Sequence, residues 1–150
     1  MFYGEIFKIL NKAHVKYVVV GGIAVVLHGY MRFTHDLDLV VALEPENLEK
    51  FFEALKKINY HPKAPITKEQ FQDKQQRKLW QKEKGALVDI FVQEPMPFDK
   101  IYKKRVDVKI NGTTVPLMCI DHLKKLKKTA GRPQDLIDIV QLTAIERIKK

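Results

Sequence analysis

Three short apolar runs constrain this chain most: YVVV at 17–20, LDLVV within 35–42, and LVDIFV within 86–92. Each is β-branched-rich and too short for a buried helix, so each reads as a strand. Strands this continuously apolar need cover on both faces. The segments between them can supply it. Phe2, Ile6, Ile9 and Leu10 recur at helical spacing across 2–13, Ile23–His28 reads as a short helix, and Glu44-Pro45 opens another that continues through LEKFFEALKKI. Thr67 with Gln70 resembles a capping box, which predicts a polar helix to about Trp80. A short helix at Phe98–Lys103 precedes VDVKI and TTVPL, joined as a hairpin at Asn111-Gly112. IDHLKKLKKTA and QDLIDIVQLTAIERI close the chain as two helices on either side of Gly131-Arg132-Pro133. The expected fold is α/β (α+β): a single mixed sheet of about four to five strands flanked by helices, with residues 1–150 forming one domain. The polar region 61–84 reads as an excursion from that core.

Acids interrupt the apolar runs. Asp36 and Asp38 sit two apart, so a strand directs them to the same side. Asp89 interrupts the later run. Like charges at the edge of an apolar core are unfavourable unless a cation holds them. Oxygen-only donors suit Mg²⁺ or Mn²⁺ better than zinc. Gly21-Gly22 ends one strand and precedes a helix, where backbone N–H groups can approach a phosphate. Each feature alone has a plainer use: a turn, a cap or a solvated strand edge. Their conjunction in this order is the specific signal.

The chain carries 27 Lys+Arg against 18 Asp+Glu, a formal net charge of +9 over 150 residues. That excess suits a polyanionic partner, nucleic acid or nucleotide phosphate, and equally a lysine-rich solvated surface. At 45% hydrophobic and 30% charged residues, the composition is that of a globular protein. No apolar run is long enough for a bilayer, the N-terminus lacks a signal-peptide pattern, and Cys119 is the single cysteine. A cytoplasmic location without membrane attachment is expected.

With these residues in view, the chain resembles the polymerase-β-like nucleotidyltransferase superfamily, particularly its minimal prokaryotic members and the toxin-type AbiEii/MenT branch. GGIAVVLHGYMRFTHDLDL is similar to that branch's glycine turn followed by Asp-x-Asp, through Gly21, Gly22, His28, Gly29, Arg32, Thr34, Asp36 and Asp38. KTAGRPQDLID resembles a later element of the family through Lys127, Arg132, Asp135 and Asp138. The resemblance covers roughly 17–142. It implies that Asp36, Asp38 and Asp89 hold Mg²⁺ (or Mn²⁺), with Asp89 a candidate base. Gly21 and Gly22, with Arg32 and Thr34, would hold the NTP phosphates. Lys127 is the candidate further phosphate contact. The implied reaction moves a nucleoside monophosphate from an NTP to a hydroxyl acceptor such as RNA, tRNA or protein. Ile23 stands where many active members carry Ser or Thr. The alternative is therefore an inactive module of the same fold that binds RNA or a partner protein. A toxin acting on tRNA is a third reading.

Overall fold

The structure, a computed structural model, describes residues 3–34, 36–62, 77–82, 87–91 and 96–149, with the backbone alone for 60–62, 77–82 and 87–91. Its described strands form one mixed sheet. They are β1 (Tyr17–Val20), β2 (Leu37–Val41), β3 (Tyr60–Pro62), β4 (Arg77–Lys82), β5 (Leu87–Phe91), β6 (Val106–Ile110) and β7 (Thr113–Leu117), in the order β3-β4-β5-β2-β1-β7-β6. The described helices are α1 (Gly4–Lys12), α2 (Gly21–His28), α3 (Pro45–Lys57), α4 (Phe98–Lys103), α5 (Ile120–Ala130) and α6 (Pro133–Ile148).

β1 is the hinge of the topology. It runs antiparallel to β2, from Tyr17↔Val41 to Val20↔Asp38. On its other side it meets β7 in parallel at Val19↔Leu117, where the Met118 N–H also donates to the Val19 carbonyl at 2.9 Å. Pro116, one residue earlier, has no N–H to give. β1 is buried throughout, and in β2 Asp38 alone is not fully buried. Ile6, Phe7 and Leu10 of α1 join Leu48, Phe51 and Leu55 of α3 in the core beneath these strands. Asn47 fixes the start of β1: it accepts from the Lys16 N–H at 2.8 Å and donates to the Ala42 carbonyl at 2.9 Å.

The expected α/β class with a mixed sheet holds. The sheet is wider than four to five strands, because β3 and β4 extend it beyond β5. The helix expected up to Trp80 is corrected over its last residues: Arg77–Lys82 is strand, paired antiparallel to β5 and β3. Cross-strand pairing there overrides a polar sequence with little β-branched character. Thr67 and Gln70 lie outside the described residues. Asn111 and Gly112 both take positive φ, 51° and 82°, as the expected hairpin turn requires.

Candidate active site

α2 begins directly at the end of β1; its first residue lies against Asp38 of β2 and its second against Arg32 and Thr34 in the segment before that strand. Gly21 has φ +67°, and a side chain there would collide with the Asp38 Oδ2 atom. A side chain at Gly22 would run into Thr34 Oγ1 and come within 3.1 Å of Arg32 Nη2. The two glycines therefore let the first turn of a helix close onto a carboxylate, a hydroxyl and a guanidinium at once. Helix N-terminal N–H groups lack intrahelical partners and attract anions.

Asp38 is the Cα register partner of Val20 on β1 and of Asp89 on β5. Positions 38 and 89 are thus level on adjacent parallel strands, where in-register positions share a face of the pleat. The side chain of Asp89 is outside the described residues. Asp36 lies one residue ahead of β2 and is partly exposed. Tyr3, just before α1, is buried, and its hydroxyl is harder to ionise than usual, first through burial and then through the charges of Asp36 and Asp38. Tyr3 was not legible as a site residue, because the helical spacing of the N-terminus marks it only as an apolar neighbour of the core.

Behind the glycine turn lies a network of buried ion pairs. Arg32 grips Asp138 with two parallel bonds, Nε to Oδ1 at 2.9 Å and Nη2 to Oδ2 at 2.8 Å. Lys127 Nζ reaches the same Asp138 Oδ2 at 2.9 Å and Asp135 Oδ1 at 3.4 Å. Asp135 accepts from Arg132 through Nε at 2.7 Å and the backbone N–H at 3.1 Å, and Gln134 donates to Asp138 at 2.9 Å. Burial pushes both carboxyls up, but the bonds outweigh it. Asp135 is held below the usual carboxylate range by Arg132 and then Lys127, and Asp138 by Lys127, Arg32 and Gln134. Arg132 is correspondingly harder to deprotonate, through its bond to Asp135 and that residue's charge, with smaller contributions from Asp38 and Asp138.

Gly21, Gly22, Arg32, Thr34 and Asp38 are thereby brought into one neighbourhood. Lys127 is tied to them through Asp138, and its ammonium is buried between two carboxylates rather than presented at the surface. The more accessible cation of the network is Arg132, whose side chain is 74% exposed. His28 is packed away, with Nε2–H donating to the Met118 carbonyl at 2.8 Å, and Lys124 pairs with Glu146 at 3.2 Å.

The donor chemistry around the glycine turn suits a hard divalent cation: carboxylate and hydroxyl oxygens beside a backbone cradle that no Cβ fills. Among the described residues no three His, Cys, Asp or Glu side chains converge as a metal-binding group, and the third acid of the expected set is described by its backbone alone. Among the described residues, too, no helix is long and apolar enough to cross a membrane.

Comparison with known proteins bears on the family and the fold. A family described as a nucleotidyltransferase of unknown function (DUF6036) matches residues 4–149. Among solved structures, the lincosamide antibiotic adenylyltransferase LnuA, bound to lincomycin, superposes with a TM-score of 0.66 at 18% identity, over 96% of this chain and 94% of that one. ANT(2'')-Ia in complex with adenylyl-2''-tobramycin superposes with a TM-score of 0.65 at 12% identity, over 99% and 97%. An antigenic nucleotidyltransferase-like protein from Paracoccidioides brasiliensis gives 0.62 at 20% identity, over 91% and 71%. No curated protein sequence matches the chain. At these identities the likeness establishes a shared nucleotidyltransferase fold.

Proposed function

The chain belongs to this nucleotidyltransferase family, and on that premise we propose that it transfers a nucleoside monophosphate from an NTP to a hydroxyl acceptor with a divalent cation, Mg²⁺ or Mn²⁺. The observation that carries the reading is the closure of the Gly21-Gly22 turn onto Asp38, Thr34 and Arg32, with position 89 level with position 38. Asp36, Asp38 and Asp89 are the proposed metal ligands. A bound cation of this kind neutralises triphosphate charge and acidifies an acceptor hydroxyl. Gly21 and Gly22 offer backbone N–H groups to the phosphates, and Thr34 a hydroxyl beside them. Arg32 adds positive charge to the same wall while Asp138 holds its orientation. Lys127, paired with Asp138 and Asp135, acts in this reading as a positioning residue that fixes Asp138, which in turn orients Arg32. Asp89 is the proposed base for the acceptor.

For the acceptor we favour RNA, including tRNA, because a net charge of +9 attracts a polyanion. The relatives of the same fold that modify lincomycin and tobramycin suggest a small polyhydroxylated acceptor as the competing choice. Labelling with each α-³²P NTP, total RNA and Mg²⁺ tests the reading. Label should enter RNA with one NTP and vanish in Asp36→Ala and Asp38→Ala. Transfer that survives both substitutions would remove the proposed site. The toxin-type form of the motif predicts, in addition, growth arrest on expression that Asp38→Ala relieves. Cytoplasmic action on tRNA is the setting this implies.

One feature favours a second reading. Ile23 is buried and offers no hydroxyl after the glycines, which suits an inactive module that keeps the fold and binds RNA or a partner protein. Calorimetric titration with Mg²⁺ separates the two: the enzyme takes up the ion in a manner lost in Asp38→Ala, and the inactive module gives no such heat.

A further inference from the structure

The described residues cover one side of α6 and leave an apolar stripe on the other. Facing inward are Asp135, Asp138 and Leu142, all buried. On the opposite side, Leu136 is 55% exposed, Ile137 48%, Val140 65% and Ile148 82%, with exposed Ala144 between them. These positions form one stripe at helical spacing, about 18 Å from Leu136 to Ile148. Contiguous exposed apolar surface of this kind marks an interaction site.

The charges around the stripe identify its partner. Arg147 lies within the outer face, and Arg132 and Lys149 are exposed at its two ends. The acids of α6 are occupied elsewhere: Asp135 and Asp138 are buried with their cations, and Glu146 pairs with Lys124. A second copy of the chain is a poor match. Antiparallel pairing about Val140 would set Arg147 seven residues on one side of centre against the exposed Arg132 region of its mate, and parallel pairing would stack Arg147 on itself. Each mate would also bring a charge of +9. A membrane surface is a poor match too, because an interfacial helix keeps its Lys- and Arg-rich face in water, whereas the inner face of α6 is spent on the core and the buried ion pairs.

We propose that the outer face of α6 is a docking surface for an acidic amphipathic helix of a partner protein, its apolar stripe laid along Leu136, Ile137, Val140 and Ile148 and its flanking carboxylates meeting Arg147 and Lys149. The mode is an amphipathic helix packed along an apolar strip, with charge setting partner choice. Because the inner face of the same helix holds Arg32 and Lys127 through Asp138, a docked partner bears on the helix that anchors the cationic wall of the site.

The test uses the full chain and a fluorescent 18-residue helical peptide with a leucine stripe flanked by glutamates, its glutamate-to-lysine counterpart, and anionic phosphatidylserine vesicles. Fluorescence anisotropy should give binding of the acidic peptide at least about tenfold tighter than its lysine counterpart. Val140→Asp and, separately, Ile137→Ser should each weaken it by about tenfold or more, with circular dichroism unchanged because both side chains are largely exposed. Equal affinity for the two peptides, or binding untouched by both substitutions, overturns the proposal. So does a concentration-dependent dimer in sedimentation that Val140→Asp dissolves, which assigns the face to a second copy. Vesicle retention abolished by Val140→Asp, without peptide binding, assigns it to a membrane and likewise overturns it.

Discussion

Gly21 takes a left-handed backbone conformation, and the Asp38 carboxylate occupies the space a side chain would need. Gly21→Ala therefore meets two penalties, a disfavoured φ and a collision with Oδ2, and should destabilise the fold by about 1–3 kcal/mol. Thermal unfolding reads the loss, and the same variant should lose nucleotide transfer because Asp38 must move. Asp138 presents a different case. It pairs with both Arg32 and Lys127 in a buried setting, so Asp138→Asn leaves two cations short of a carboxylate and should cost about 3 kcal/mol or more in a urea titration. A fall below 1 kcal/mol would mean that Asp135 alone can hold both.

Among the elements, α2 and α5 each carry a buried histidine whose protonation the fold resists. Burial is the first cause for His28 and for His122, and both take up a proton less readily than a free histidine. The unfolded chain then binds more protons than the folded one as pH drops below about 6.5. The stability these residues confer is present above that value and declines as pH falls toward their lowered folded values. The carboxylates of α6 follow the same sign at lower pH, because Asp135 and Asp138 are also depressed: their contribution is full above the ordinary carboxylate range and disappears as they finally protonate. Urea midpoints measured from pH 8 to pH 4 should fall below pH 6.5, and His28→Gln should flatten the first part of that decline. The strands β1, β2, β5, β6 and β7 were legible in the sequence because apolar runs and an Asn-Gly turn announce themselves locally. β3 and β4 were not, since residues such as Lys78 and Gln81 take strand geometry from their neighbours β5 and β3 rather than from their own pattern. The meeting of Gly21 with Asp38 followed from the order of motifs. The bond from Arg32 to Asp138 spans 106 positions and leaves no local trace, although both residues stand in quotable motifs.

Across the whole molecule, the charge of +9 sets the terms on which any polyanion is met. If RNA is the acceptor, its affinity should fall linearly on a log–log plot against salt, with a slope that counts the phosphates contacted. A flat response in filter binding between 50 and 200 mM salt, about the range over which such contacts usually weaken sharply, would point to a small neutral acceptor instead. The sheet itself is unevenly sewn. β2 is paired along four positions with each of β1 and β5, while β7 touches β1 at Val19↔Leu117 beside a proline that cannot donate. The β6–β7 ribbon is therefore the more weakly paired part of the sheet, anchored chiefly by Val115 and Leu117 in the core, and amide-deuterium uptake should report its opening as separate from that of the β1–β2–β5 block. Because Met118 at the foot of that ribbon also receives His28, such an opening would release the far end of the very helix whose first turn faces Asp38.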